Sequence, residues 1–306
     1  MRVGILKRRA IDAAGRESVL DAGFFVGNAD FYRHLHEMPL DERALIRMRA
    51  ISHTNTLDGD SAGKRAARVD ARFVNTAMMV TLLGAVASDA TADQRVVSGV
   101  GGQLDLVLQA LQLSGARSII AVRSTRRSGM KTESNVVWSY ASCTVPRSLR
   151  DIVVSEYGIA DVRGRSDRDI VAAIVAIADA AVQERLIGEA MRAGKLEKGF
   201  KLPAGPPNSA RHVEDALAPF RRDSLLPLFP FGTEMTPVEQ SLVEPLADLA
   251  SASAGALARI FVRGFGAIAD SERAALQRLS LQEPGSYKDR ALRRLILGAI
   301  RQRRLH

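Results

Sequence analysis

The segment Gly99-Val-Gly-Gly102 contains the residue types that most directly suggest chemistry. It follows a β-branched run, Arg95-Val-Val-Ser98, and precedes an amphipathic stretch that predicts a helix over 103–113. Glycine permits positive φ and a close approach to a ligand, and the first amides of the helix point into the same space. The segment therefore predicts strand, loop and helix, with a place for an anion or a developing oxyanion. A turn without a ligand is the alternative.

Other motifs support few reactions. The spacing G-V-G-G-Q matches neither a dinucleotide fingerprint nor a phosphate-binding loop, and no G-x-S-x-G nucleophile elbow occurs. Glu133, Glu156 and Asp161 lie near predicted strand ends and are the local candidates for acid, base or nucleophile. Ion pairing is the alternative role of these carboxylates, with Arg147, Arg150, Arg163 or Arg165 as partners.

The elements that must position these residues alternate between strands and helices, which predicts an α/β fold with an open parallel or mixed sheet covered by helices. The predicted strands are 3–6, 19–26, 118–122, 134–140 and 151–157, with a loop at 158–164. The predicted helices are 30–36, 40–49, 103–113, 167–181, 183–193, 237–264, 270–281 and 287–301. The pattern over 72–86 is compatible with a strand or with the start of a buried helix.

Proline content divides the chain. The α/β domain is predicted to span 1–202, and a proline-rich linker to span 203–236. A basic helical appendage is predicted over 237–306. Its cationic residues near the C-terminus are Lys288, Arg290, Arg293, Arg294, Arg301, Arg303 and Arg304.

Composition limits the class of protein. The 306 residues are 46% hydrophobic and 25% charged, and carry a formal net charge of +9. No apolar run approaches the roughly 20 residues of a membrane helix, and the N-terminus lacks the pattern of a signal peptide, which predicts a cytoplasmic protein.

Cys143, the one cysteine, is expected to be a small residue in a strand, and without a Cys/His cluster we expect no metal site. With four tyrosines and one tryptophan, nucleic-acid binding is disfavoured.

Three motifs together resemble the C-terminal half of the acetyl-CoA hydrolase/transferase family, the family I CoA transferases. They are Val97-Ser-Gly-Val-Gly-Gly-Gln103, Phe73-Val-Asn-Thr-Ala77 and Ser155-Glu-Tyr-Gly-Ile-Ala-Asp-Val-Arg-Gly-Arg-Ser166. The resemblance covers about 19–196 and implies a CoA-transferase type fold. It also implies acyl-CoA and a small carboxylate as substrates, with coenzyme A as a substrate rather than a tightly bound cofactor.

The resemblance assigns roles to single residues. Gly101 and Gly102 would supply oxyanion amides, Gly99, Val100 and Gln103 would line the CoA thioester, and Asn75 would lie near the thioester. On this basis Gly102→Val is expected to block the site and leave the fold intact.

Family members attack acyl-CoA with a glutamate, forming an acyl-glutamyl anhydride and then a glutamyl-CoA thioester. In the family, that glutamate precedes the stretch that matches Gly4-Ile-Leu-Lys-Arg-Arg9 of this chain, so we expect it upstream of Met1. Glu234 does not take its place, because it lies after the glycine segment and not before it. The chain is thus expected to be the C-terminal half of an acetyl-CoA hydrolase or CoA transferase of acetate metabolism. The alternative is a non-catalytic CoA-binding module or subunit. In either case the expected partner is an N-terminal domain or a second copy.

Overall fold

The computed structural model describes residues 10–11, 17–128, 131–230 and 232–303. Two compact units divide between Leu226 and Pro227. The predicted strand 3–6 lies outside the described residues. In the part of the chain that is described, no helix is long and apolar enough to cross a membrane.

The strands are β1 (Ala10–Ile11), β2 (Glu17–Ser18), β3 (Leu20–Ala22), β4 (Ile46–Met48), β5 (Arg72–Ala77), β6 (Met79–Thr81), β7 (Val86–Ala87), β8 (Arg117–Val122), β9 (Thr125–Ser128), β10 (Lys131–Ser134), β11 (Val136–Val137), β12 (Ile152–Ser155) and β13 (Gly158–Asp161). The helices of the first unit are α1 (Ala29–Glu37), α2 (Leu40–Arg43), α3 (Ile51–Asn55), α4 (Ser61–Ala67), α5 (Gln103–Gln112), α6 (Asp167–Ala176), α7 (Ala180–Arg192) and α8 (Ala210–Arg222), with a 3-10 turn at Arg147–Leu149. The helices of the second unit are α9 (Pro237–Ser251), α10 (Ala254–Arg263), α11 (Asp270–Arg278) and α12 (Tyr287–Arg303).

The central sheet of the first unit has the order β13-β12-β8-β5. Strands β5, β8 and β12 are parallel, with Asn75 opposite Ile120, and β13 returns antiparallel to β12. Helix α6 buries Ile170 and Ile174 in the core that covers this sheet, and α5 packs beside β5 and β8. The predicted mixed α/β sheet covered by helices is confirmed, and the carboxyl ends of β5, β8 and β12 lie at one edge of it.

Several predicted elements are wrong because distant partners decide them. Residues 40–49 do not form one helix: α2 ends at Arg43 and β4 pairs in parallel with β3. The run before the glycines forms no strand, since Val97 donates back to the carbonyl of Asp89 at 2.8 Å. Segment 134–140 is interrupted at Asn135, whose backbone amide and side chain donate to the carbonyls of Ser124 and Arg123.

Other predicted elements differ from the structure in their bounds or type. The predicted strand 19–26 is only β3, and the predicted loop 158–164 begins with β13. The ambiguous stretch 72–86 forms β5 and β6 rather than a helix. Cys143 is exposed and lies outside the strands, contrary to the prediction.

The second unit packs α9 to α12 around Leu242, Leu276, Ile296 and Leu297. Residues 237–264 form two helices, not one continuous segment, because Ser253 caps a new helix. The segment predicted as a linker, 203–236, contains α8 and the division between the units. The predicted domain boundaries themselves stay a prediction.

Candidate functional site

The glycine segment lies directly before α5. Gly101 has φ of +59°, a conformation that favours glycine, and Gly102 is the N-cap residue without a side-chain cap. Leu106 donates to the carbonyl of Gly102 at 2.9 Å. No described residue accepts a hydrogen bond from the amides of Gly101, Gly102 or Gln103. The start of this helix therefore presents unused donors and the positive end of the helix dipole.

Gly99 and Val100 form the outer part of the segment. A Cβ placed on Gly99 or on Gly101 would meet nothing within 4 Å, and the side chain of Val100 is exposed. The loop is thus open on the side of these two glycines.

Gly102 differs, because it packs against a side chain that the sequence analysis did not select. A Cβ on Gly102 would overlap Nδ2 of Asn55, the last residue of α3. Oδ1 of Asn55 accepts from Oγ1 of Thr54 at 3.2 Å. The expectation that Gly102→Val leaves the fold intact stays a prediction, and the structure adds that the Asn55 side chain would have to move to admit a Cβ at residue 102. Asn55 and Gly102 are 47 residues apart, so no local sequence pattern predicts this contact.

A buried polar network holds α3 in place. Nζ of Lys64 donates to the carbonyls of His53, Thr56 and Asp58 at 2.7, 3.1 and 2.6 Å. Burial, with the nearby charge of Arg68, lowers the pKa of Lys64. Since free carbonyls at a helix C-terminus favour cations, Lys64 both satisfies and stabilises this end of α3.

A second set of contacts joins α3 to α5. Nε2 of Gln109 donates to the carbonyl of Asn55, and Arg68 donates both to Gln109 and to the carbonyl of Thr54. The position of Asn55 against the glycine segment is therefore set by α4 and α5 together.

Asn75 and Gln103 bring two unsatisfied amide atoms to the same region. Asn75 lies on the face of β5 that also carries Phe73 and Ala77, and its Nδ2 is buried without a partner. Gln103, in the first turn of α5, donates from Nε2 to the carbonyl of Thr76 at 3.1 Å, and its Oε1 is buried without a partner. Buried polar atoms without partners are rare and commonly mark a functional site or a water position.

A cleft of about 510 Å³ opens at the carboxyl ends of β5 and β8. Thr76, Ala77, Met78 and Met79 line one side of it, and Arg123 and Arg126 line another. Ligands of open α/β sheets bind outside the carboxyl ends of strands, so this cleft has the expected position for a substrate.

The three candidate carboxylates are engaged by other groups. Glu133 pairs with Arg126 at 2.5 Å, and Glu156 accepts from the amide of Ser124 at 2.8 Å. Asp161 pairs with Arg117 at 2.7 Å; partial burial raises the pKa of Asp161, but the Arg117 guanidinium outweighs it and the net shift is downward. Ion pairing thus holds for Glu133 and Asp161, although with arginines other than those expected. None of the three is bonded to the glycine segment.

Comparison with known proteins identifies relatives of this part of the chain. The profile of the acetyl-CoA hydrolase/transferase C-terminal domain matches residues 27–190. The 4-hydroxybutyrate coenzyme A transferase of Clostridium kluyveri is 33% identical over 117 residues, which are 38% of this chain and 27% of that protein. A probable butyrate:acetyl-CoA coenzyme A-transferase of Syntrophomonas wolfei is 30% identical over 132 residues, 42% of this chain and 29% of that protein.

Among solved structures, RipA from Yersinia pestis aligns with a TM-score of 0.46 at 25% identity, covering 55% of this chain and 36% of RipA. The chain spans less than a third of the length of the two curated relatives above.

Proposed function

Because the chain belongs to the acetyl-CoA hydrolase/transferase family, in which it matches the C-terminal domain, we propose that its glycine segment receives the thioester carbonyl oxygen of an acyl-CoA. One observation carries this proposal: the unused amides of Gly101, Gly102 and Gln103 stand at the start of α5, and the side chain of Gln103 ties that start to the carbonyl of Thr76, next to Asn75 with its unsatisfied Nδ2 near the carboxyl end of β5. Donors held in place before charge develops are the usual means of stabilising an oxyanion, and each contributes about 10²–10³ in rate.

In the proposed reaction, a glutamate oxygen attacks the thioester carbon and the carbonyl oxygen becomes an oxyanion bonded to Gly101 and Gly102. The carbon–sulfur bond then breaks and coenzyme A leaves as a thiolate, giving an acyl-glutamyl anhydride. Attack of this thiolate on the glutamyl carbonyl releases the free acid and leaves glutamyl-CoA. A second carboxylate completes CoA transfer, and water completes hydrolysis.

The nucleophilic glutamate is proposed to come from another domain, outside these 306 residues. In support, no described carboxylate is bonded to the glycine segment, and Glu133 and Glu156 are held by Arg126 and the Ser124 amide. Coenzyme A is a substrate in this proposal, Gly99, Val100 and Gln103 line its thioester, and a small carboxylate is the acceptor. A cytoplasmic location is part of the same proposal.

The same observation favours a second candidate, a module that binds acyl-CoA without turning it over unless a partner is present. The two candidates differ in the fate of acetyl-CoA once the glutamate is supplied. Release of free thiol by the complete assembly supports the first, and binding without release supports the second.

The test is titration calorimetry of the 306-residue chain with acetyl-CoA, together with a thiol-release assay. We expect binding that Gly99→Val weakens, because a side chain there enters the open loop without touching the protein. Gly205→Val is the matched control, since Gly205 is also exposed and uncrowded.

Absence of acetyl-CoA binding, or equal weakening by both glycine variants, would contradict the thioester site. Turnover by the chain alone, with a covalent adduct on Glu133 or Glu156 in the intact mass, would contradict an external nucleophile.

A further inference from the structure

A second cavity lies in the helical unit 227–306 and is lined by three arginines of one helix. Arg290, Arg293 and Arg294 project from α12 into a pocket of about 360 Å³. The other lining residues are Gly266, Ile268, Pro284 and Leu297, so no carboxylate of the described residues lines it. Three positive charges around one small cavity repel one another unless an anion lies between them.

Neighbouring groups hold these guanidinium groups in place. Arg294 stacks on Phe265, 4.0 Å from the ring centroid, and donates from Nη1 to the carbonyl of Gly264 at 3.2 Å. Arg293 donates from Nη1 to the carbonyl of Gln282 at 2.9 Å. Arginines positioned in this way lose little side-chain entropy when a ligand binds.

Most of the donors remain available. Nε and Nη2 of Arg293 and Arg294 have no acceptor among the described residues, and neither has the side chain of Arg290, whose guanidinium lies 5.3 Å from the ring centroid of Tyr287. A guanidinium presents its donors in a planar fork that matches pairs of phosphate oxygens. Several guanidinium groups around one cavity can therefore bind a ligand that has oxygen atoms on several sides.

We propose that this pocket binds a phosphate or diphosphate group of a small molecule. A tetrahedral phosphate has enough oxygens for several forks, whereas a single carboxylate has two and would leave at least one guanidinium unmatched. The apolar side chains of Ile268, Pro284 and Leu297 leave room for an attached organic group but offer it no hydrogen bonds. This site is independent of the proposed acyl-CoA function, because every residue that forms it lies outside the matched family domain.

The experiment is calorimetry of the full chain with inorganic phosphate and with pyrophosphate at constant ionic strength. We expect both to bind, pyrophosphate more tightly, and we expect Arg293→Gln and Arg290→Gln each to weaken pyrophosphate binding about tenfold, the usual effect of one charged hydrogen-bonding partner. Arg259→Gln is the matched control: it removes the same charge from an exposed position on α10 outside the pocket.

Gly99→Val separates the two proposals, since it should leave pyrophosphate binding unchanged even if acetyl-CoA binding is lost. The phosphate site is overturned if millimolar pyrophosphate gives no binding. It is also overturned if Arg259→Gln weakens binding as much as Arg293→Gln, which would indicate only general charge attraction. Tight binding of single-stranded DNA without binding of pyrophosphate would assign the arginines to a nucleic acid instead.

Discussion

Asn55 packs closely against Gly102. Its side chain occupies the space that a Cβ of residue 102 would need, while the spaces beside Gly99 and Gly101 are open. The three glycines therefore serve different purposes: Gly102 approaches Asn55, Gly101 adopts positive φ, and Gly99 leaves room outside the loop.

We predict that Gly102→Ala lowers the free energy of unfolding by about 1–3 kcal/mol, the usual effect of an added methyl group in a filled space. Combining it with Asn55→Ala should recover much of the loss, because the clash is removed. A double-mutant cycle by chemical denaturation measures the coupling. Strict additivity of the two changes would contradict the contact.

Asn75 allows stability and binding to be separated. Because its buried Nδ2 has no partner, Asn75→Leu should leave the stability unchanged or raise it. If the amide is kept for a ligand, the same variant should bind acetyl-CoA at least tenfold more weakly. Denaturation and calorimetry on one preparation test this. A loss of stability would show that the side chain has a structural partner, and unchanged binding would remove Asn75 from the site.

At the scale of elements, Lys64 fixes the end of α3 through three carbonyls. We predict that Lys64→Met lowers the free energy of unfolding by about 1–3 kcal/mol, since buried carbonyls lose their donor. Lys198→Met is the control, because Lys198 is exposed and has no hydrogen bond or ion pair among the described residues. Equal stability of the two variants would contradict the role of Lys64.

Asp151, directly before β12, connects β8 with the loop that follows β13. Its fully buried carboxylate accepts from the amide of Ser118 at 2.7 Å, from Arg117 at 2.9 Å and from Arg163 at 2.5 Å. Asp151→Ala should lower the free energy of unfolding by about 1–3 kcal/mol, because it leaves the amide of Ser118 without its acceptor and removes a carboxylate from Arg117 and Arg163. Asp161→Ala, at a side chain 44% exposed, should cost under about 1 kcal/mol. Urea denaturation compares them, and similar losses would refute the distinction.

At the scale of the whole molecule, carboxylates with lowered pKa values occur in both units. Lys195, with Arg150 and Arg147 nearby, lowers the pKa of Asp167. In the helical unit, the backbone amide of Thr236, followed by Arg278, lowers the pKa of Glu239 to about 2.

Since these carboxylates release their protons more readily in the folded state, they stabilise it above the unfolded pKa of about 4. This contribution is lost as pH falls from there toward the folded values. We predict that the melting temperature falls between pH 5 and pH 2, and that Glu239→Gln reduces the fall. Stability independent of pH in this range would contradict the prediction.

The sequence alone determined the features that depend on near neighbours. The glycine segment and α5, strands β8 and β12, and the helices α1, α11 and α12 follow from local periodicity and from glycine and cap residues. The combination of three motifs was sufficient for the family, because each lies at a turn or strand end where few residue types are tolerated.

Only the tertiary structure decided which distant groups meet. Residues 46–48 have helical spacing yet form β4, because β3 offers backbone partners and Asp21 pairs with Arg47 at 3.2 Å. The contact of Asn55 with Gly102 likewise depends on packing across the fold. In the helical unit, i, i+3 and i+4 spacing placed three arginines on one face of α12, but two loops, at Gly266 before α11 and at Pro284 after it, closed a pocket around them. Local patterns encode backbone conformation, whereas such partners are selected by the packing of the whole chain.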